Sequence, residues 1–502
     1  MQWGCFIETT KLREKQRCSI LLSLLANDGY CGKPPLGPRT VVAVASSKRE
    51  GISFSPGREP VVRIGVVLAR DGKTRIDAET LQDGYAIAVG PDETPQAIAS
   101  GPINIQASGG RLRVVAKAFA RSGYRSLQLV PTFGSASGHP DAAVLVRGVV
   151  AGRGFHWCTK IDQRLSGVLE FRADGSNLIL INELPLEEYL AGVITAEMSG
   201  YCPGEYMKAH AVISRSWLLA SSRSNHPGEP FTWCNDDCCQ RYQGNSGWTR
   251  PAIDALAATR GQVLITATGK ICRTSFSKNS GGITEDPQSA WRAASPGLRA
   301  RFDGPVDAPE ARFFPVDAAH MRDYICGKWL ATTRLYASPA VVSPDQLTRF
   351  LNRVDSRVSS FRWRVDLCQD DLRSSIAEAS AISDLDVVQD IEPGRRGKSG
   401  RLEEIVVTYR SKSGGRSRKR IGPEYRIRKA LRSGFLYSSA IVIDLTRDYC
   451  GTIKTATFRG AGWGHGVGLC QTGGIGRAIV GQGYEQILAA YYDQVTLRQA
   501  YD

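Results

Sequence analysis

A single glutamate, Glu197, stands where a carboxylate could perform acid–base chemistry. In the stretch 184–220 the apolar residues after Pro185 recur at helical spacing, and Glu197 takes the next position on that apolar face. Partial burial disfavours an ionised carboxylate, and so does the negative end of a helix dipole. We therefore predict a raised pKa and a general acid at Glu197. The alternative is a helix-end carboxylate that pairs with Lys208 or Arg215.

The segment 226–244 holds a cluster of metal-ligating residue types. His226, Cys234, Cys238 and Cys239 could supply a tetrahedral zinc set, in which the metal would deprotonate the thiols. Their spacing is not one of the strong zinc patterns, so disulfides or buried thiols are the alternatives. Because the chain has 13 cysteines, an odd number, at least one thiol is unpaired or ligates something.

A tight turn at Ser280, Gly281 and Gly282 follows a predicted strand. Its backbone N–H groups and the Ser280 hydroxyl could grip sugar hydroxyls. The same pattern is also typical of a turn with no binding role.

The block GWGHGVGLCQTGG at 462–474 is the second glycine-rich stretch with polar side chains. Its glycines permit positive φ and close backbone approach, while Trp463 offers a stacking face and His465 and Gln471 offer hydrogen bonds. It lacks the GKS or GKT of a phosphate-binding loop. The alternative is that His465, a lone histidine between glycines, is a structural residue.

A pair of helices must position Glu197. Pro185 precedes the first helix, and Pro203 lies where a second could begin, so the pair is predicted as a helical hairpin with Glu197 at its corner. From Pro60 onward, short β-branched runs alternate with Gly, Asp and Ser, which predicts antiparallel strands. Without βαβ alternation, these patterns indicate a mixed α+β fold.

These patterns divide the chain into five segments. The domain that carries Glu197 consists of two of these segments and is therefore discontinuous. The segments are an N-terminal tail or degenerate export signal with a linker (1–59), a small β-rich module (60–145), the first part of the catalytic domain (146–296), an inserted subdomain (297–397) and the second part of the catalytic domain (398–502).

Composition indicates a globular chain with a polyanionic partner. The chain has 502 residues, 42% of them hydrophobic, and a formal net charge of +15. Basic residues concentrate at 394–401 and 416–432 without zinc-finger or RNA-recognition signatures, so nucleic acid is not the predicted partner. A solvated charged face is the alternative for these runs. No apolar stretch approaches the length of a membrane span.

Five separated blocks resemble, in order, the stage II sporulation protein D family of peptidoglycan lytic transglycosylases. They are NELPLEEYLAGVITAEM with KAHAVISRSW, CCQRYQG, SGGITED, SGRLEEIVV and GWGHGVGLCQTGG. The resemblance implies cleavage of MurNAc–GlcNAc bonds in peptide-free glycan strands to 1,6-anhydro products, with Glu197 as general acid and base. It also implies glycan contacts at Lys208, Arg215, Gln240, Tyr242, Ser280, Gly281, Gly282, Trp463, His465 and Gln471.

The same resemblance implies a structural zinc site at His226, Cys234 and Cys239, no cofactor required for cleavage, a cell-wall amidase as partner, and a place in the cell envelope or periplasm. Two other functional classes stay open. One is a non-catalytic, glycan-binding enhancer of an amidase. The other is a two-carboxylate hydrolase that uses Glu285 or Asp286 opposite Glu197.

Overall fold

Two large, mainly antiparallel sheets form the first half of the chain, with one parallel pairing between β1 and β13. The computed structural model describes residues 57–89, 94–132, 143–155, 157–221, 225–351 and 360–502, so the predicted tail at 1–59 lies almost wholly outside the described residues. The strands of these sheets are β1 (Val61–Val67), β2 (Arg75–Thr80), β3 (Tyr85–Ala88), β4 (Gln96–Ile98), β5 (Gly101–Ser108), β6 (Arg111–Ala116), β7 (Phe119–Tyr124), β8 (Ser126–Pro131), β9 (Val144–Ala151), β10 (Thr159–Leu165), β11 (Val168–Asp174), β12 (Asn177–Pro185) and β13 (Trp233–Cys234).

The order of the seven-stranded sheet is β13-β1-β12-β11-β8-β3-β4, and that of the six-stranded sheet is β10-β9-β2-β5-β6-β7. Alternate residues of β5, namely Ile103, Ile105 and Ala107, point into the core that the two sheets share. Both sheets combine strands from either side of residue 145. The predicted boundary between a module at 60–145 and the segment after it therefore does not separate two sheets.

Helices and shorter strands complete the fold. The helices are α1 (Leu186–Glu197), α2 (Gly204–Ala220), α3 (Arg250–Ala258), α4 (Pro287–Trp291), α5 (Met321–Cys326), α6 (Pro344–Phe350), α7 (Gln369–Ser380), α8 (Glu424–Leu431), α9 (Gln471–Ile479) and α10 (Tyr484–Tyr491), with short 3-10 helices at Ala69–Asp71, Pro309–Phe313 and Lys328–Ala331. The remaining strands are β14 (Gln262–Thr266), β15 (Phe276–Ser277), β16 (Arg362–Cys368), β17 (Leu385–Pro393), β18 (Ile405–Ser411), β19 (Arg416–Ile421), β20 (Ile441–Arg447), β21 (Ile453–Ala461), β22 (Leu469–Cys470) and β23 (Val495–Gln499). These elements confirm the predicted mixed α+β class.

Residues 360–461 contribute two three-stranded sheets, β16-β21-β20 and β17-β18-β19, which share a second hydrophobic core. Strand β16 belongs to the predicted insert at 297–397, but its partner β21 lies after residue 398. The sheet therefore crosses the predicted boundary, because backbone hydrogen bonding joins strands that are distant in sequence.

Two short pairings bring the C-terminal part of the chain back to the helical hairpin. Strand β15 pairs in parallel with β22, and β14 pairs antiparallel with β23. In the first pairing Ser277 lies opposite Cys470, so the residues that follow them, Lys278 and Gln471, come close to each other. None of the described helices combines the length and apolar character needed to cross a bilayer.

Candidate active site

The hairpin of α1 and α2 places Glu197 at its corner. Helix α1 begins after Pro185 and ends at Glu197, and α2 begins after Pro203, as the two prolines predict. Met198 adopts extended backbone and ends the helix. Because the preceding apolar positions of α1 face the core, the Glu197 side chain also points inward and the residue is only 3% exposed.

Glu197 is held by groups from two other parts of the chain. The backbone N–H of Arg241 donates to Glu197 Oε1 at 2.9 Å. The Lys278 ammonium donates to the backbone carbonyl oxygen of Glu197 at 2.7 Å and so occupies the C-terminal end of α1. Neither Lys208 nor Arg215, the partners considered from the sequence, makes this contact.

Opposing influences act on the pKa of Glu197. Burial works to raise this pKa, whereas the positive charges of Arg241 and Lys278 and the hydrogen bond from the Arg241 backbone work to lower it. The prediction considered burial and the helix dipole but not these cations, which approach from outside the hairpin. The predicted rise therefore stays a prediction.

A small pocket opens beside Glu197, with polar, charged and aromatic walls. Its lining consists of Trp157, Glu197, Asp237, Arg241, Lys278, Trp463 and Gln471. The Arg241 guanidinium lies 4.4 Å from the centre of the Trp157 ring, which gives one wall the character of a cation–π stack. The pocket has a volume of about 10 Å³, room for about one water molecule, and its walls combine aromatic faces with hydrogen-bonding groups.

Asp237 supplies a second carboxylate to this pocket, and sequence reasoning missed it. Its Oδ1 accepts from Arg241 Nη2 at 3.2 Å, while its buried Oδ2 has no hydrogen-bond partner among the described residues. Burial raises the pKa of Asp237 to about 7 against the opposing charge of Arg241. Its position beside Cys238 was the only available signal, and no periodicity distinguished it.

Trp463 and Gln471 are the residues of the second glycine-rich block that reach the pocket. Gln471 also lies 3.3 Å from His210, measured between Gln471 Nε2 and His210 Nε2. His210 stands on α2 and packs edge-on against Phe276, and burial lowers its pKa to about 4, which keeps the ring neutral. The block therefore contributes one aromatic face and one amide to the pocket.

His465 does not line the Glu197 pocket. Its Nδ1 accepts the backbone N–H of Val467 at 3.0 Å, and its ring packs 4.9 Å from that of Trp291. Burial lowers the pKa of His465 well below its ordinary value, so the ring is neutral. The prediction of a glycan contact is corrected to a structural position within the turn.

The Ser280 turn has its hydrogen-bonding groups engaged inside the protein. The Ser280 N–H donates to Cys470 Sγ, the Gly281 N–H to Asn279 Oδ1, and the Gly282 N–H to the Ser280 hydroxyl. These three residues are therefore not available to grip sugar hydroxyls as predicted. Lys278, two residues before Ser280, does line the pocket.

The other predicted glycan contacts do not line the pocket and have partners within the protein. Lys208 pairs with Glu205 at 2.6 Å, away from the pocket, and buried Arg215 pairs with Glu187 at 2.7 Å. Two further side chains are buried beside α1 and have protein partners, Gln240 with Tyr189 and Ser214, and Tyr242 with Asn182. The motifs contain these residues because they position the hairpin.

The carboxylates proposed for a two-carboxylate hydrolase do not face Glu197. Glu285 is buried and accepts hydrogen bonds from the backbone of Lys398 and from the hydroxyl of Ser399. Asp286 accepts from the Ala300 N–H and pairs with Lys398. Both carboxylates hold the turn at 397–401. The alternative of a two-carboxylate hydrolase is therefore incorrect for Glu285 and Asp286.

The predicted metal ligands come together, and Cys238 joins them. The ligand atoms of His226, Cys234, Cys238 and Cys239 all lie within 4.8 Å of one another. The Sγ atoms of Cys234 and Cys238 are 3.0 Å apart, too far for a disulfide, and the cysteines in the described part of the chain are free thiols. Three thiols and one imidazole around a common centre fit a tetrahedral zinc ion.

Comparisons with known proteins bear on the hairpin and on the second core. Residues 174–265 match a family model described as Stage II sporulation protein (SpoIID), and residues 329–468 match a model described as a domain of unknown function (DUF8618). The first match includes Glu197 and the four metal-ligating residues. The second covers the sheet β16-β21-β20 and Trp463.

Three relatives illustrate the extent of the similarity. An uncharacterised protein of Brachyspira hyodysenteriae is 25% identical over 66% of this chain and 71% of its own length. Stage II sporulation protein D of Bacillus subtilis is 30% identical over 24% of this chain and 39% of its own length. The Amidase enhancer of Bacillus subtilis is 25% identical over 61% of this chain and 40% of its own length.

The chain thus spans about two fifths of the length of each of the two Bacillus proteins. The family model and the named relatives agree with the resemblance drawn from the five motifs. Residues 174–265, which include Glu197, therefore match the stage II sporulation protein D family, and the chain is similar to proteins named as a stage II sporulation protein D and an amidase enhancer.

Proposed function

We propose that the protein acts on the cell wall, outside the cytoplasmic membrane, as a lytic transglycosylase that cleaves MurNAc–GlcNAc bonds of peptide-free glycan strands. The observation that carries this proposal is a buried carboxylate, Glu197, at a helix end beside a pocket with aromatic, cationic and amide walls. The names of the Bacillus relatives, a sporulation protein and an amidase enhancer, support a role at the cell wall.

In the proposed reaction Glu197 acts twice. Its protonated carboxyl group donates to the glycosidic oxygen, so the bond from C1 of the muramic acid to O4 of the glucosamine breaks. The resulting carboxylate then takes the proton of the muramic acid's 6-hydroxyl, and O6 bonds to C1 to close a 1,6-anhydro ring. No water is consumed and one carboxylate suffices, because the nucleophile belongs to the substrate.

The opposing influences on the pKa of Glu197 set a condition on this mechanism. The acid step needs the protonated carboxyl group, which burial favours, and the second step needs the carboxylate. Arg241 and Lys278 stabilise the ionised form, which is the form needed for the second step.

A second candidate function follows from the same charges. A carboxylate kept ionised by Arg241 and Lys278 can accept a sugar hydroxyl without ever donating a proton. The protein would then bind glycan strands and stimulate a cell-wall amidase, in line with the relative named Amidase enhancer.

Mass spectrometry of peptide-free glycan strands after incubation with the protein distinguishes the two functions. We expect products lighter by one water than hydrolytic fragments, and at least a ~100-fold loss of turnover in Glu197→Gln with glycan binding retained. Glu188→Gln, at the other end of α1, is the matched control and should cleave normally. Intact strands that bind the wild-type protein would favour the enhancer, and reducing-end products would favour a hydrolase.

We also propose that His226, Cys234, Cys238 and Cys239 hold a structural zinc ion. Bound there, the ion would fix the loop that carries Asp237 and Arg241 against the pocket. Native mass spectrometry should find one zinc per chain, lost in Cys239→Ser and kept in Cys450→Ser, whose thiol is exposed elsewhere. A chain without zinc that melts at the same temperature as the loaded chain would contradict a structural role.

A further inference from the structure

A second pocket, of about 320 Å³, lies between α5 and one face of the sheet β16-β21-β20. Its lining includes Ile325 and Cys326 at the end of α5, Arg362 and Arg364 on β16, and Arg459 on β21. The volume is at the lower end of the range for small-ligand sites. The residues that line the Glu197 pocket do not overlap with this set.

Three arginines converge on this face because of the strand register. Arg362 and Arg364 are two positions apart on β16 and share a face, and Arg364 lies directly opposite Arg459 on β21. Like charges directly opposite each other destabilise a sheet unless something compensates them. Asp366 pairs with Arg364 at 2.8 Å, and Asp444 pairs with Arg459.

These two aspartates do not balance the positive charge around the pocket. Asp444 is shared with a further arginine, Arg322 of α5, so four guanidinium groups stand near two carboxylates. The excess positive charge makes the face attractive to an anion.

Among these arginines, Arg362 has the positive charge that is least compensated by carboxylates. Its Nη1 donates to the carbonyl oxygens of Gly281 and Phe361, and its Nη2 donates to that of Tyr324. Its buried Nε has no hydrogen-bond partner among the residues that the structure describes. In the described ranges no carboxylate forms an ion pair with it. Desolvation is the main cause that lowers the pKa of Arg362, as expected for a buried cation without a counter-charge.

We propose that this pocket binds a carboxylate, and that the carboxylate is the lactyl group of a muramic acid in a peptide-free glycan. The guanidinium fork matches a planar carboxylate, and an anion here would supply the counter-charge that Arg362 lacks. The choice of muramic acid rests on the proposed function, since such strands expose one lactyl carboxylate on each muramic acid.

A short stretch of the polypeptide also connects this pocket to the Glu197 site. Arg362 holds the carbonyl oxygen of Gly281 at 2.8 Å, and the segment just before that turn carries Lys278, which contacts Glu197. Arg362 therefore links the wall of this pocket to the turn that follows Lys278.

Cys326 provides a local readout because its thiol lines the pocket and is exposed. The rate of Cys326 alkylation is measured by peptide mapping with N-acetylmuramic acid, N-acetylglucosamine or inorganic phosphate as the probe. Exposed Cys450 in the same molecule is the reference thiol. We expect N-acetylmuramic acid to slow alkylation of Cys326, whereas N-acetylglucosamine, which lacks the lactyl group, should not.

Arginine variants test whether this protection comes from the pocket. Arg364→Gln and Arg459→Gln should weaken the apparent affinity for N-acetylmuramic acid by about tenfold, the usual scale of a lost charge-assisted hydrogen bond. Arg410→Gln is the matched control, because Arg410 is also exposed and pairs with an aspartate at 2.9 Å, but on another sheet. It should leave the affinity unchanged.

Several results would overturn the proposal. They are the absence of protection, equal protection by N-acetylglucosamine, stronger protection by phosphate, or protection that survives both arginine variants. Glu197→Gln separates this proposal from the proposed cleavage. If Glu197→Gln and wild type both leave glycan strands intact while N-acetylmuramic acid still protects Cys326, the cleavage is wrong and the carboxylate site stands.

Discussion

Two positive charges oppose burial at the carboxylate of Glu197. Burial favours the protonated group, whereas the charges of Arg241 and Lys278 favour the ionised form. For a general acid these charges lower the population of the active form. For a general base or a hydroxyl acceptor they raise it.

The pH dependence of cleavage tests this balance. If Glu197 is the acid, kcat/KM is lost as pH rises through the pKa of the free protein, since only the protonated carboxyl group can donate. The pH of this loss therefore reports the pKa of Glu197 in the free protein. Lys278→Met removes one stabilising charge and should move the loss to higher pH, whereas Lys270→Met, at an exposed site, should not. An unchanged profile in Lys278→Met would remove the ammonium from this balance.

At single positions the sequence predicted burial better than charge. The apolar face of α1 was sufficient to point Glu197 inward. Its cationic neighbours were not predictable, since Arg241 and Lys278 lie 44 and 81 positions further along the chain. Residues of the motifs such as Gln240 and Tyr242 were predicted to touch glycan, but they pack beneath the hairpin because the same motifs also encode its support.

At the scale of elements, Arg215 fastens the helical hairpin to the rest of the fold. Its guanidinium on α2 pairs with Glu187 at the start of α1, donates to the carbonyl oxygen of Gln262 at 2.9 Å, and contacts the Tyr501 hydroxyl at 3.1 Å. The Arg215 side chain has no exposed surface. Removing it would leave Glu187 with a largely buried and unpaired charge.

Arg215→Ala should therefore reduce the free energy of unfolding by about 3–5 kcal/mol, the range for breaking a buried pair. Arg250→Ala is the matched control on α3, because Arg250 pairs with Asp254 at 2.8 Å but is 86% exposed, and its loss should cost at most about 0.5 kcal/mol. Urea unfolding followed by circular dichroism measures both. A stable Arg215→Ala protein that has lost only glycan affinity would restore the predicted binding role.

The starts of helices were well predicted where the residues at the helix end determine them. Proline marks the starts of α1 and α2, as predicted. Sheet membership was not predictable, because strands such as β16 and β21 pair across roughly a hundred residues of chain. The alternation of side chains determines which face is buried but does not identify the partner strand.

At the scale of the whole molecule, charge determines which glycan the protein should prefer. The formal net charge is +15, and both pockets carry cationic side chains. A peptide-free glycan is a polyanion because each muramic acid exposes its lactyl carboxylate. Chitin oligosaccharides offer the same N-acetylglucosamine units without that charge, so the two polymers separate electrostatic attraction from sugar recognition.

We therefore expect the affinity of the Glu197→Gln protein for peptide-free strands to fall by roughly tenfold when salt rises from about 0.05 to 0.5 M, since salt screens exposed charges. Affinity for chitin oligosaccharides of equal length should change little. The non-cutting variant keeps the ligand intact while fluorescence anisotropy of an end-labelled strand is recorded. Equal weakening for both polymers would mean that the positive charge serves another anionic surface, and the pockets would then recognise the sugars through their uncharged groups alone.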